Sequence, residues 1–129
     1  MKLEEHIKYW VESSSHDLEV AESLFDNSKY DYCLFFGHLL LEKTLKALFV
    51  KNNSGKLPPK THNLVRLAEV SNIDITDDQK IFLDEVNEFN LETRYPDFKF
   101  EFYKRCTKEY AEEYLLQIKE INRWLLSQI

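Results

Sequence analysis

Apolar residues recur at steps of three or four along most of the chain, which is the spacing of an amphipathic helix. The first such stretch runs from Leu3 to Phe25. The second, from about Tyr30 to Asn52, carries apolar residues around more than half of the helix circumference. A helix that is apolar on several sides has neighbours on several sides. We therefore expect the second helix to lie at the centre of the fold.

The same pattern predicts three more helices. Thr61 is placed to cap a short helix whose buried residues are Leu64, Leu67 and Ala68. The sequence TDDQ, from Thr76 to Gln79, has the spacing of a capping box and predicts the start of the next helix. Its buried stripe is expected to be Ile81, Phe82, Val86 and Phe89. Pro96 interrupts the pattern, and one last long helix is expected to bury Tyr103, Thr107, Ala111, Tyr114, Ile118, Ile121 and Leu125.

Composition agrees with an all-α protein. Two glycines and three prolines in 129 residues leave few breakers, so we expect an up-and-down four-helix bundle with one additional short helix, formed by residues 1–129 as a single domain. The net charge of −6 and the lack of a long apolar run predict a cytoplasmic protein without a membrane span. In a reducing compartment, Cys33 and Cys106 are expected to be free thiols.

Polar residues interrupt the most apolar segment of the chain. His38, Glu42 and Lys46 follow one another at four-residue spacing and so form one row on the surface of a helix. This polar stripe either lines a ligand or dimer cleft, or is an ordinary Glu-Lys pair on an exposed strip of helix. The sequence leaves both readings open.

Positive charge is concentrated in a stretch without Asp or Glu, from Lys43 to Ala68. This basic segment holds Lys43, Lys46, Lys51, Lys56, Lys60 and Arg66. Such a segment either faces phosphate groups or is a solvated region at a helix C-terminus, where the helix dipole favours cations. A second basic cluster begins at Arg94 and is diluted by acidic residues, and Tyr95 and Tyr103 beside it are candidates for stacking on nucleobases.

Several classes of enzyme are excluded by what the chain lacks. Gly37 and Gly55 are the only glycines, so a glycine-rich phosphate loop cannot form. No histidine has a glutamate three residues before it, which removes the helical di-iron motif. We expect neither a metal ion nor a cofactor.

The order of the segments resembles the HEPN family of small helical proteins. The matching segments are HDLEVAESLF, YCLFFGHLLLEKTLKALFV, PPKTHNLVRLAE and ETRYPD, which together span nearly the whole chain. The resemblance implies a helical bundle that forms homodimers, and often a pairing with a minimal nucleotidyltransferase in a toxin-antitoxin pair. It also implies binding of nucleotide or RNA.

Catalytic members of this family are metal-independent ribonucleases with an arginine followed, after four to six residues, by a histidine. Arg94 matches the arginine, but residues 99–101 contain no histidine and none follows His62. The resemblance therefore predicts a non-catalytic binding module. Its candidate nucleotide- or RNA-binding residues are Lys43, Lys46, Lys56, Lys60, His62 and Arg94. The alternative is a ribonuclease in which Arg94 works with Tyr95, Lys99, Glu101 or a distant His62.

The last helix adds an argument for the homodimer. Its aromatic and apolar residues exceed what one buried stripe needs, and those in excess are Tyr110, Tyr114, Leu116 and Trp124. Exposed apolar side chains of this size are typical of an interface. We therefore expect two copies of the chain to associate.

Overall fold

The computed structural model describes residues 2–129, apart from the side chain of Pro96. These residues form helices without any strand, so the prediction of an all-α bundle is confirmed. The helices are α1 (Leu3–Asp26), α2 (Tyr30–Asn52), α3 (Leu64–Val70), α4 (Asp77–Arg94), α5 (Pro96–Arg105) and α6 (Lys108–Ser127). The bounds expected for α1 and α2 agree with the structure to within one residue.

Helix α2 lies at the centre, as its apolar circumference predicted. It packs along most of α1 and also contacts α3, α4, α5 and α6. Leu34, Leu40, Leu41, Leu45 and Leu48 of α2 are fully buried in one hydrophobic cluster with residues of the other helices. Every side of α2 is therefore covered along much of its length, and its polar side chains must find partners inside the protein.

Buried polar groups fix how α1, α2 and α6 face one another. The Ser14 hydroxyl donates to the Leu40 carbonyl at 2.7 Å, and the Thr44 hydroxyl donates to Asn122 Oδ1 at 2.7 Å. The two hydroxyl oxygens lie 2.6 Å apart. Because each of these groups is satisfied by a partner on another helix, a shift of one helix along its neighbour would leave them unpaired.

The close approach of α2 and α6 depends on Gly37. A Cβ atom at this position would lie 2.7 Å from Cδ1 of Ile118, which is far inside van der Waals contact. Any side chain here would push the two helices apart or force Ile118 into another rotamer.

Two helix starts test the capping predictions. The box at α4 is confirmed, since Thr76 Oγ1 accepts the Gln79 N–H and Gln79 Oε1 accepts the Thr76 N–H. The prediction for α3 was wrong by two residues. Asn63, and not Thr61, is its N-cap, with Asn63 Oδ1 accepting the N–H groups of residues 65 and 66. Thr61 Oγ1 instead accepts the Asn63 N–H.

The stretch after Pro96 also differs from the prediction. The expected single last helix is two helices, α5 and α6, separated at Cys106 and Thr107. Thr107 is the N-cap of α6, where its hydroxyl oxygen accepts the Tyr110 N–H, and Tyr103 is an exposed residue of α5. Ile81 was likewise wrongly assigned to the core. It is 59% exposed, whereas Leu83 is fully buried.

The two cysteines are free, as predicted, and both are buried. Burial is the main cause that raises the pKa of both Cys33 and Cys106 to about 12. They are therefore protonated and poorly nucleophilic near neutral pH. Within residues 2–129, no helix has the length and apolar character that crossing a bilayer requires.

Candidate functional site

A cleft of about 370 Å³ opens between the chain segment that enters α3 and one face of α4. It is lined by His62, Asn63, Asp84, Asn87, Glu88, Asn90, Leu91, Arg94 and Tyr95. Its polar residues include both charged signs and three amides. A volume in this range suits a small ligand.

His62 is held at this cleft by a carboxylate from the central helix. The His62 Nδ1–H donates to Glu42 Oε1 at 2.8 Å, and the Lys46 ammonium donates to Glu42 Oε2 at 3.1 Å. Glu42 is 5% exposed and Lys46 is 8% exposed, whereas the His62 side chain is 59% exposed. Because Nδ1 carries the proton toward Glu42, the other ring nitrogen, Nε2, is left for the cleft.

The four-residue spacing of α2 explains why this arrangement forms. Residues four apart lie on one face, so Glu42 and Lys46 meet within the helix, and the Lys46 ammonium lies 5.4 Å from the centre of the Trp10 ring of α1. Burial would penalise either charge alone. Each is instead paired, which is the condition for keeping an ion inside a protein.

His38, one turn before Glu42, anchors the other side of the same segment. Its Nε2 lies 2.7 Å from the His62 carbonyl, and its Nδ1 lies 3.3 Å from Asn90 Nδ2. A carbonyl only accepts, so Nε2–H donates to it and Nδ1 accepts from the amide. Burial lowers the pKa of His38, against the opposing charge of Glu42. His38 is thus neutral at neutral pH, with both ring nitrogens engaged.

Asn90 connects His38 to Arg94 through hydrogen bonds. Asn90 Oδ1 accepts a hydrogen bond from Arg94 Nη1 at 3.2 Å, one turn along α4. Arg94 is the last residue of α4, and its guanidinium carbon lies 6.0 Å from the centre of the ring of Tyr95, the one residue between α4 and α5. Arg94 thus lies at the exit of α4. Most of its N–H donors are left for a ligand.

The polar stripe is therefore not on the surface. His38 is fully buried, and Glu42 and Lys46 are nearly so, which makes the reading of an ordinary exposed Glu-Lys pair wrong. The stripe does not line the cleft directly either, because its side chains lie beneath it. Of the candidates from sequence, the structure brings His62, Arg94 and Tyr95 together at the cleft and places His38 and Glu42 as their supports.

The basic segment does not form one continuous positive surface. Lys46 is buried, and Lys43 Nζ lies 2.7 Å from Asp17 Oδ2, an ion pair without hydrogen-bond geometry. Lys51 donates to the last two carbonyl oxygens of the chain, beyond the end of α6. These positions correct the sequence-based picture of Lys43 and Lys46 as surface residues. Lys56, Lys60 and Arg66 remain exposed.

The second basic cluster is also divided. Lys99 lies 5.3 Å from the centre of the Tyr32 ring, in a separate depression on α5, and the nearby Tyr32 side chain raises the pKa of Lys99. Glu101 points to Lys104 at 3.9 Å. Lys99 and Glu101 thus do not line the cleft of Arg94. Glu92, another acidic neighbour of Arg94 in the sequence, pairs with Arg105 instead.

Sequence reasoning missed the amides and acids of α4. Asp84, Glu88 and Leu91 follow helical spacing, as do Asn87, Asn90 and Arg94, so both rows run toward the cleft. This spacing is visible in the sequence, but it is equally typical of the solvated side of an amphipathic helix. In the part of the chain that the structure describes, no three His, Cys, Asp or Glu side chains group as a metal site would require.

Comparison with known proteins identifies the family of this chain. A model of the HEPN domain matches residues 7–129, which include most of α1 and all of the other five helices. The chain belongs to the HEPN domain family. This confirms the resemblance based on its four segments.

Two solved structures are similar to this HEPN domain. The crystal structure of TT1696 from Thermus thermophilus aligns with a TM-score of 0.82 over 96% of this chain and 98% of that one, at 21% identity. The crystal structure of ST0689, an archaeal HEPN homologue, aligns with a TM-score of 0.75 over 99% and 98%, at 22% identity. At these identities the likeness concerns the fold. No curated protein matches the chain significantly.

Proposed function

We propose that this HEPN domain is a non-catalytic binding module whose cleft between His62 and Arg94 takes the phosphate of a nucleotide or an RNA. The main support is that both side chains line one opening and each is hydrogen-bonded to a buried residue. Glu42 holds His62, and Asn90 holds Arg94. A guanidinium holds a phosphate through parallel hydrogen bonds. Side chains fixed beforehand lose less entropy when a ligand binds.

The second candidate is a metal-independent ribonuclease, and the position of His62 favours it. A histidine oriented by a carboxylate is a common general base, and this one shares the cleft with Arg94. Cleavage through a 2′-hydroxyl also needs an acid for the leaving group. His38 is buried with both ring nitrogens occupied, and Arg94 stays protonated, so neither serves easily. We therefore rank binding above cleavage.

We further propose that two copies of the chain form a homodimer, through a surface other than the one expected. Of the four α6 residues expected at the interface, Tyr110, Tyr114 and Trp124 are partly buried against the core, and only Leu116, which is 57% exposed, leaves a large apolar surface for a partner. Exposed aromatic side chains are instead gathered on and around α5, and they are Tyr32, Tyr95, Phe98, Phe100 and Tyr103. We refer to these residues as the α5 aromatic surface. An apolar surface of this kind favours association.

A minimal nucleotidyltransferase remains our proposed partner, with the two proteins forming a toxin-antitoxin-type pair. The support is membership in the HEPN domain family alone. Co-expression of the chain with the product of an adjacent reading frame, followed by co-purification, tests the pairing. Failure of a neighbouring nucleotidyltransferase to co-purify would contradict it.

The binding proposal is tested with purified protein and fluorescent single-stranded RNA or nucleotide, by fluorescence anisotropy. Arg94→Ala should weaken binding about tenfold or more, since a charge-assisted hydrogen bond is lost. Arg123→Ala, on the exposed face of α6, is the matched control and should leave binding unchanged. A parallel digestion assay in EDTA decides between the two candidates, because cleavage abolished by Arg94→Ala would establish the ribonuclease.

A further inference from the structure

The charges around the cleft point to a narrower class of ligand. We infer that the cleft takes a ribonucleoside monophosphate, or the phosphorylated end of a chain, with the phosphate between Arg94 and protonated His62 and the ribose hydroxyls donating to Glu88 and Asp84. This inference rests on the proposed function, which it makes more specific. It separates a mononucleotide from the internal backbone of an RNA.

The two carboxylates of α4 at the cleft favour a ligand with a single phosphate. Asp84 and Glu88 are exposed, line the same cleft as Arg94, and form no ion pair within the residues that the structure describes. Carboxylates repel phosphate groups and accept hydrogen bonds from hydroxyl groups. An internal RNA segment would bring a second and a third phosphate toward them. A ligand with one phosphate and a neighbouring pair of hydroxyls meets both charges of the cleft favourably.

The length of α4 fits such a ligand. Glu88 and Arg94 are six residues apart, which corresponds to about 9 Å along a helix axis. Both side chains line the same opening, so its acidic and basic ends are offset along α4 by roughly the span of a sugar and its phosphate. Tyr95, 48% exposed beside Arg94, offers a ring on which a base or sugar can pack.

His62 supplies the second positive charge. Its Nδ1–H is directed at Glu42, so a proton added at Nε2 is directed away from α2 and toward the cleft. A phosphate bound beside Nε2 attracts positive charge and so favours the cationic form of the ring. Ligand binding should therefore be accompanied by proton uptake at His62.

Each charged group near His62 favours or opposes protonation of its ring. Glu42 favours the imidazolium, Lys46 offsets part of that charge, and neutral His38 adds none. On the α4 side, Glu88 and Asp84 favour the cation and Arg94 opposes it. A phosphate placed between His62 and Arg94 removes that last repulsion. Phosphate binding and protonation of His62 are thus mutually reinforcing.

Isothermal titration calorimetry with the full chain tests the inference. The probes are the four ribonucleoside 5′-monophosphates in turn, the matching nucleosides and 2′-deoxynucleotides, and a 12-nucleotide RNA without terminal phosphates. At pH 7, buffers of different ionisation enthalpy report proton uptake. We expect one or more monophosphates to bind at least about tenfold more tightly than their nucleosides and than the RNA.

Three variants and one control assign the roles of the cleft residues. His62→Gln should reduce proton uptake and weaken monophosphate binding, whereas His16→Gln, at an exposed position of α1, should do neither. Asp84→Asn and Glu88→Gln should each reduce the ratio of the affinity for the ribonucleotide to the affinity for the 2′-deoxynucleotide. Circular dichroism of each variant checks that it is folded.

The outcomes separate the inference from the proposed function. If the unphosphorylated RNA binds and no monophosphate does, the cleft binds RNA and the inference is overturned while the binding module stands. Unchanged proton uptake in His62→Gln, or an unchanged ribose preference in both acidic variants, also overturns it. If neither probe class binds, the proposed function itself fails.

Discussion

Glu42 and His62 are joined by a 2.8 Å hydrogen bond between Glu42 Oε1 and His62 Nδ1, across 20 residues of sequence. The bond ties the buried centre of α2 to the segment that enters α3. The Glu42 carboxylate thus has two partners, because the Lys46 ammonium donates to its other oxygen, Oε2. The stability of this part of the fold and the orientation of His62 thus depend on the same buried charge.

Removing that carboxylate should be costly. Glu42→Ala leaves the Lys46 ammonium buried without its partner, and we expect the free energy of unfolding to fall by about 3–5 kcal/mol. Urea denaturation measures the loss. Glu12→Ala, which breaks the exposed pair of Glu12 with Lys8, is the control and should cost less than about 1 kcal/mol.

The origin of that cost can be checked with a second variant. Replacing both partners by apolar residues, Glu42→Leu with Lys46→Met, removes the unpaired charge and should be less destabilising than Glu42→Ala alone. A double variant that is as unstable as, or less stable than, Glu42→Ala would show that the unpaired charge is not the main cause of the loss.

Arg94 should affect binding much more than stability. It is exposed, and among the described residues its side chain makes one hydrogen bond, to Asn90, and no ion pair, so Arg94→Ala should change the free energy of unfolding by less than about 1 kcal/mol. Thermal unfolding and anisotropy on the same sample give both quantities. A lower melting temperature with unchanged binding would make Arg94 a structural residue of the turn before α5.

The neutral state of His38 predicts a pH dependence of stability. Burial lowers its pKa from the ordinary value of 6.5, so below that pH the unfolded chain binds a proton that the folded chain does not. Stability should therefore fall as the pH drops from 7 to 5. In His38→Gln the slope of unfolding free energy against pH should be smaller, whereas His16→Gln should keep most of it. Equal slopes in His38→Gln and the wild type would refute this assignment.

The α5 aromatic surface is the predicted dimer interface. Phe100 is 62% exposed, and Phe100→Glu would place a charge within the apolar contact. At micromolar concentration we expect light scattering to report twice the chain mass of 15.5 kDa for the wild type and a shift toward one chain for the variant. Ile81→Glu, at a 59% exposed apolar position of α4, is the control. A wild-type mass of one chain would contradict the dimer.

The exposed part of the basic segment predicts a salt effect. If Lys56 and Lys60 contact the phosphates of single-stranded RNA, the log of the affinity should fall with the log of salt concentration, with a slope of ~0.7 per contact. Changing both to glutamate should weaken binding to all sequences alike and lower the slope. Affinity that ignores salt and these changes would leave the segment as a solvated loop.

The sequence by itself determined the first four helices and their order. Periodicity located α1, α2 and α4, the TDDQ capping box started α4, and Pro96 separated α4 from the next helix. These are local signals, because each depends on residues within a few positions of one another. The same locality explains the errors. Thr61 and Asn63 are both good caps, and Thr107 can lie inside a helix or begin one, so the choice depends on packing.

Only the tertiary structure decided what the polar stripe does. Four-residue spacing placed His38, Glu42 and Lys46 in one row, but a row on a central helix is buried or exposed according to what packs over it. His62 and Asn90 are distant in sequence, and they reach the row because α3 and α4 are folded against α2. The stripe supports a cleft because the buried carboxylate of Glu42 and the buried ring of His38 need partners, and His62 and Asn90 supply them from elsewhere in the chain.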